Sequence, residues 1–151
     1  MVGLLSDTHG LLRPEALAAL KGAAHLVHAG DVGTPELLAA LRALAPVTAV
    51  RGNTDAAPWA RDLPTETLVE VRGVWIAVVH DLSTLRLDPR AAGASAVVFG
   101  HSHRPLVEDR GGILYVNPGA AGPRRFGFPV SVGRLRIAGG RAVGEIAPLA
   151  V

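Results

Sequence analysis

The feature that most restricts this chain is a repetition of form rather than of sequence. Three times within the first fifty-odd residues a short apolar run ends in a polar turn, and twice that turn leads into a helix opened by proline. Val2 to Leu5 stops at Ser6-Asp7-Thr8-His9-Gly10, and Pro14 then opens a helix to about Lys21, with Leu17 and Leu20 at helical spacing. Leu26-Val27 lies in a second strand that reaches Gly30-Asp31. Pro35 opens the next helix, where Leu37, Leu38, Leu41 and Leu44 form an apolar stripe behind Thr34 as N-cap. A third strand, Val47 to Val50, runs into Gly52-Asn53. Strands alternating with helices, joined by connections of this length, predict parallel pairing in an α/β fold.

From Leu63 the pattern changes. Thr67 to Val71 and Val74 to Val79 predict a hairpin turning at Arg72-Gly73, and Asp88 to Ala92 a short helix. Ala96-Val97-Val98-Phe99 reads as a buried strand that runs into Gly100-His101-Ser102-His103. Further strands follow at Leu106-Val107, Ile113 to Val116, Val130 to Ile137 and Ala142 to Ile146, between turns such as Gly111-Gly112 and Gly139-Gly140. The second half is expected to form a second sheet packed on the first. No linker, repeat or low-complexity segment divides the chain, so residues 1–151 are expected to be one domain.

Composition removes several function classes. With 49% hydrophobic and 19% charged residues, the chain is globular rather than disordered. It contains no cysteine, which excludes disulfides and thiolate metal sites. No apolar stretch approaches a membrane span, and the opening residues lack the pattern of a secretion signal, so the expected location is the cytoplasm. Residues 1–103 carry eight basic and ten acidic side chains, whereas 104–151 carry seven and three, a balance suited to a small anionic substrate. Only Arg124-Arg125 are adjacent, and aromatics amount to 4%, which argues against a general nucleic-acid surface. Monomer and homo-oligomer both stay open.

The chemistry gathers at the strand ends. Asp7 and His9, Asp31, Asn53, His80, and His101 with His103 each follow an apolar run or sit one turn beyond it. In open α/β sheets, ligands bind in the crevice outside the carboxyl ends of strands. Taken singly, each residue has a more ordinary role: Asp7 and Asp31 as turn or cap residues, Asn53 as a turn residue, His80 as a buried hydrogen-bonded histidine. Seven oxygen and nitrogen ligands at successive strand ends are harder to assign that way. Carboxylates and imidazoles together suit Mn²⁺, Fe²⁺, Zn²⁺ or Ni²⁺, and seven donors suit two ions sharing a bridging carboxylate, for which Asp31 is the candidate. His28, three residues before Asp31, is a candidate supporting residue rather than a ligand, and His25 is expected at the surface.

The order Asp7-x-His9, Gly30-Asp31, Gly52-Asn53, His80, Gly100-His101-x-His103 resembles the calcineurin-like metallophosphoesterases. The resemblance runs from Val2 to the loop near Arg125, and the segment Asn117-Pro118-Gly119 is similar to that of their small bacterial and archaeal phosphodiesterase branch. It implies two packed mixed β-sheets flanked by helices, a four-layer αββα sandwich. Asp7, His9, Asp31 and His103 would hold one divalent ion, and Asp31, Asn53, His80 and His101 the other, with Mn²⁺ foremost. The implied activity is phosphodiester hydrolysis by a hydroxide bridging the two ions, with Asn53, Asp31 and His101 at the reaction centre. The implied partner is a small phosphoester, nucleotide-derived or otherwise, contacted by Asn53 and by Arg124 or Arg125.

The sequence departs from the family in three places. Many relatives carry Gly-Asn-His at the position of Gly52-Asn53-Thr54, and Thr54 is no general acid near neutral pH, which favours substrates with good leaving groups. Asp81 follows His80 where the branch usually has glycine, and reads either as a loop residue or as an extra carboxylate beside the second ion. Ala120 follows Asn117-Pro118-Gly119 where relatives often have serine. Trp59, Phe126 and Phe128 are expected to serve packing or the pocket rim. The competing function is a protein-binding module: the retromer subunit that shares the fold works as a scaffold. Completeness of the seven ligands favours the enzyme.

Overall fold

The computed structural model describes residues 1–151. Its ten strands form two five-stranded mixed sheets. In chain order the elements are β1 (Val2–Leu5), α1 (Pro14–Ala19), β2 (His25–His28), α2 (Pro35–Arg42), β3 (Val47–Ala49), β4 (Glu66–Val71) and β5 (Val74–Val79). There follow β6 (Ala94–Val98), β7 (Leu106–Arg110), β8 (Ile113–Asn117), β9 (Ser131–Ala138) and β10 (Arg141–Pro148), with short 3-10 turns at Pro58–Asp62 and Leu82–Thr84.

The first sheet has the order β10-β9-β1-β2-β3 and the second β4-β5-β6-β8-β7. In the first, β1 pairs parallel with β2, and β2 with β3. In the second, β5, β6 and β8 run parallel. The expected hairpin is there: β4 and β5 pair antiparallel and close at Val71 opposite Val74. The central strands are buried on both faces, which is why they read as continuous apolar runs rather than alternating ones. From β1, Val2 and Leu4 face the core between the sheets, where they meet Ile76, Val78, Ala96, Val98, Val116 and Leu135. Leu5 faces the opposite way, into a core built with Ala16 from α1, Leu20 just after it, and Leu37, Leu38 and Leu41 from α2.

Local chemistry accounts for the helices. Pro35 occupies the first turn of α2, and the Thr34 hydroxyl accepts a hydrogen bond from the Leu37 N–H at 3.3 Å. The helix stops at Arg42, so Leu44 is not part of the buried stripe and is 45% exposed. Ala45-Pro46 disfavours further helix, because the residue before a proline is pushed out of the α region. α1 stops at Ala19, short of Lys21, in the turn that leads to Gly22.

Two expectations need correction. β9 and β10 do not belong to the second sheet: β9 pairs antiparallel with β1, Val2 opposite Leu135, and returns the chain to the first sheet. Strand patterning gives no information about which β-strand is the neighbour, and β1 had an open edge to fill. Asp88 to Ala92 is a pair of turns, not a helix: the Asp88 carboxylate accepts from the N–H of Arg90 at 3.1 Å, and Gly93 at φ 73° ends the segment. The layer outside the second sheet is therefore the 3-10 turn and these loops, with Leu82, Leu85 and Leu87 covering Ala77 and Val97. No helix is long and apolar enough to cross a membrane.

Candidate metal centre

Parallel pairing brings the carboxyl ends of β1, β2, β3, β5 and β6 to one rim, and all seven candidate ligands lie on the turns that leave it. The turns are sharp. Asp7, His9, Asp31, His101 and His103 all adopt positive φ, between 47° and 72°. For residues with a β-carbon, this left-handed conformation costs on the order of 1 kcal/mol each, and such strain concentrates at functional sites. Two glycines allow the turns to interlock. A β-carbon on Gly52 would overlap the Asp31 carboxylate and backbone nitrogen, and one on Gly100 would overlap the Ser6 hydroxyl.

Asp7 lies at the centre. Its Oδ2 accepts from the Ser6 hydroxyl at 2.7 Å and from the His101 N–H at 3.1 Å. Its Oδ1 is buried without a hydrogen-bond donor, and points at the Nε2 atoms of His103 (3.3 Å), His9 (3.9 Å) and His80 (3.9 Å). Asp31 is divided in the same way. Its Oδ1 accepts from the Thr54 N–H at 2.9 Å, while Oδ2 lies 3.3 Å from His80 Nε2 and 3.8 Å from His9 Nε2. Asn53 Oδ1 sits between two imidazoles, 2.8 Å from His80 Nε2 and 3.1 Å from His101 Nδ1. Donor atoms of Asp7, His9 and His103 form one compact group, and those of Asp7, Asp31 and His80 a second. Asp7 is common to both, and Asp31 Oδ2 faces a histidine from each.

The donor set fits divalent ions. His80 Nδ1 donates to the Ala29 carbonyl at 2.7 Å, so in the neutral ring Nε2 carries a lone pair. That lone pair faces oxygens of Asp7, Asp31 and Asn53, an electron-rich cluster that needs a cation. Burial pushes the His80 pKa down, but the neighbouring carboxylates of Asp31 and Asp7 prevail and raise it. Burial likewise opposes ionisation of Asp31, but a proton on the facing His80 nitrogen and the Thr54 N–H outweigh it, so its carboxyl is held well below the usual range. His9 Nε2 and His103 Nδ1 are buried without partners, like Asp7 Oδ1. Asp7 Oδ1 and His9 Nε2, unpartnered and 3.9 Å apart, are buried atoms that coordination would satisfy.

Two supporting residues, Asp55 and Asn117, are not evident as such in the sequence, whereas His28 is the supporting residue expected there. Asp55 is 5% exposed and clamps two ligand loops together: it accepts from the N–H of Val32 (3.1 Å), Gly33 (3.1 Å) and Gly52 (2.9 Å). Asn117 donates to the Gly100 carbonyl and to the Ser102 hydroxyl, both at 3.1 Å, and so holds the His101–His103 turn. His28 is wholly buried beneath the centre. Its Nδ1 accepts from the Gly30 N–H, so Nε2–H donates to the Thr8 hydroxyl, which in turn donates to the Val32 carbonyl. Burial pushes its pKa down to about 3, and it stays neutral.

The remaining candidates separate. Arg124 donates to the Val151 carbonyl, 3.1 Å away, whereas the charge of Arg125 reaches His103 and adds to the burial that lowers its pKa. Phe126, 73% exposed, stands edge-on to the His103 ring at 5.3 Å, and Trp59 packs beside α1 and α2. Asp81 caps the 3-10 turn at Leu82 through the Ser83 N–H and hydroxyl, while its Oδ2 lies 3.9 Å from His101 Nε2. His25 is half-buried against Thr48.

A family model of the calcineurin-like phosphoesterase superfamily domain matches residues 1–140. The chain belongs to that superfamily. It is 32% identical to a probable metallophosphoesterase of Methanothermobacter thermautotrophicus, covering 97% of this chain and 91% of the relative. It is 31% identical to the phosphodiesterase YfcE of Escherichia coli, covering 86% and 84%. An archaeal phosphodiesterase structure superposes with a TM-score of 0.78 at 22% identity, over 97% of this chain and 99% of that one. Vps29 of Chaetomium thermophilum superposes equally well, TM-score 0.78, at 16% identity over 98% and 94%. These two likenesses establish the metallophosphoesterase fold. Within that superfamily, the Asp and His groups of this chain are fit for divalent ions.

Stability should report the ions directly. At a free concentration near 100 times the dissociation constant, a divalent ion is expected to stabilise the protein by about 2.7 kcal/mol, roughly 5–10 °C in Tm for a chain of this size. Thermal melts with and without chelator check this. A Tm unmoved by Mn²⁺, Ni²⁺, Zn²⁺ and Mg²⁺ alike would contradict it.

Proposed function

We propose that this phosphoesterase is a phosphodiesterase that uses two divalent ions, Mn²⁺ foremost, with Ni²⁺, Fe²⁺ or Zn²⁺ as alternatives. The observation that carries the reading is the convergence of His9, His80 and His103, from the turns after β1, β5 and β6, on the unpartnered Asp7 Oδ1. Asp7, His9, Asp31 and His103 would hold one ion, and Asp31, Asn53, His80 and His101 the other. The position of Asp31 Oδ2 between His80 (3.3 Å) and His9 (3.8 Å) supports its role as the bridge, which Asp7 Oδ1, 3.9 Å from each, is placed to share. Ions bound there would lower the pKa of water and neutralise charge on a phosphoryl group.

The chain's own groups set the rest of the chemistry. The Asn53 carboxamide, its oxygen directed at His80 and His101, leaves its NH₂ to donate to a phosphoryl oxygen. His101, 48% exposed in its side chain, stands at the mouth where an entering ester would meet it. Arg125 brings positive charge to the His103 side and is the arginine of the pair that we assign to substrate. Thr54 gives its backbone N–H to Asp31 and has no acidic proton to donate near neutral pH, so the leaving group departs without an acid from this position. We also propose that residues 1–151 act as one unit, since both sheets contribute to a shared core and to the same rim.

The test is hydrolysis of bis(p-nitrophenyl) phosphate and p-nitrophenyl phosphate by protein stripped with chelator and reloaded with each metal. Metal-restored cleavage is expected, with the diester preferred over the monoester. Substrates with poorer leaving alcohols should slow steeply, as a site lacking an acid requires. No turnover with any metal, in protein that binds two ions, would sink the phosphodiesterase reading and favour a scaffold of the same fold.

A further inference from the structure

Beside Asn53 and His80 opens a cleft of about 500 Å³. Val79 is the only hydrophobic residue of its lining, and the other side chains that line it carry hydrogen-bonding or charged groups, Gly52 apart. Two arginines reach it from different loops: Arg51 directly precedes Gly52 after β3, and Arg86 follows the 3-10 turn Leu82–Thr84. Thr65 and Thr84 add hydroxyls.

Two carboxylates also line the cleft, and both are already engaged. Glu66 accepts backbone N–H groups from Arg86 at 3.2 Å and Leu87 at 3.0 Å. Asp81 Oδ1 accepts from the Ser83 N–H at 3.0 Å and hydroxyl at 2.8 Å. The guanidinium groups of Arg51 and Arg86 have no hydrogen-bond or ion-pair partner in the chain, while the Arg51 backbone N–H is held by the Pro64 carbonyl at 2.8 Å. Glu66 and Asp81 keep their negative charges, so the four charged side chains of the lining balance. Their oxygens are occupied by neutral donors, however, while the guanidinium N–H groups of Arg51 and Arg86 are uncommitted and can pair with an oxyanion.

We propose that this cleft receives a second oxyanion, phosphate or carboxylate, carried on the alcohol arm of the phosphodiester. The proposal rests on the phosphodiesterase reading, in which the ester phosphorus lies at the Asn53–His80 edge. It makes the substrate a diester of at least two negative charges, with a polar arm on this side.

The test compares p-nitrophenyl phosphodiesters of glycerol, glycerol phosphate and glycerate, which share one leaving group and differ only in the charge of the arm. A charged arm is expected to raise kcat/KM at least tenfold over glycerol, a factor within the range of a charge-assisted hydrogen bond. In Arg51→Gln and Arg86→Gln, the ratio taken within each variant should fall toward one. Arg42→Gln, on the exposed face of α2, should keep it. A second readout is independent of turnover: in Zn²⁺-loaded protein, glycerol 3-phosphate should shift the Nε–H resonances of Arg51 and Arg86. Equal kcat/KM for charged and neutral arms, without arginine shifts, would overturn the anionic arm and leave the phosphodiesterase intact. Arginine shifts without hydrolysis of any diester would support the oxyanion site and overturn the phosphodiesterase instead.

Discussion

Asp7→Asn is expected to reduce metal-dependent diester hydrolysis on the order of a thousandfold while leaving the fold in place. The two substituents are almost the same size, and asparagine tolerates the left-handed backbone that Asp7 adopts at φ 53°. The Ser6 hydroxyl and the His101 N–H still require an acceptor, so the amide oxygen will turn to them. That leaves the NH₂ facing the imidazoles of His9, His80 and His103, where the wild-type protein presents an unpartnered carboxylate oxygen. A donor then replaces an anionic acceptor at the point both donor groups share, and divalent ions should bind weakly or at reduced stoichiometry. Turnover, metal content by elemental analysis and a melt in chelator together make the check. Activity within tenfold of wild type, with two ions per chain retained, would show that Asp7 is not central to the site.

The second large effect is expected from a residue that touches no candidate ligand side chain. Asp55→Ala removes the acceptor of three backbone N–H groups, those of Val32, Gly33 and Gly52, at a position 5% exposed. An unsatisfied buried N–H costs about 1–3 kcal/mol, and partial rescue by water leaves an expected loss on the order of 4 kcal/mol, or roughly 10 °C in Tm. The same bonds fasten the Asp31 turn to the Asn53 turn. Metal affinity should therefore fall about 10- to 100-fold, as when residues that orient ligands are removed. Asp62→Ala, on an exposed turn, should change stability by less than about 0.5 kcal/mol. Melts of the two variants and metal titration of Asp55→Ala decide the matter. A melt for Asp55→Ala within 2 °C or so of wild type would mean that the clamp carries little.

Much of this protein is legible locally. The strand-helix alternation of the first fifty residues follows from apolar runs, from the prolines that open α1 and α2, and from Thr34 as cap, all signals contained within a few residues. The hairpin at Arg72-Gly73 is equally local. The seven candidate ligands are legible because a strand directs its last residues into a turn, and ligand-type residues recurring at such turns form an ordered pattern. Those same local rules overextended at Leu44 and at Asp88 to Ala92, where Pro46 and Gly93 ended the helical tendency.

Local signals along the chain thus specify most of the elements and the residues standing at their ends. The tertiary structure alone decided which elements became neighbours. The placement of β9 beside β1, with β10 beyond it, depends on filling an open strand edge far away in the chain, and no local period encodes that partner. The clamp by Asp55, the hold of Asn117 on the His101–His103 turn, and the division of Arg124 from Arg125 are likewise contacts between loops. Arg51 and Arg86, thirty-five positions apart, share a cleft only because β3 and β5 end at the same rim. The physical reason is the same throughout: propensity and burial period act over a few residues, whereas hydrogen-bond satisfaction and charge complementarity are settled by whatever the folded backbone brings within about 3 Å.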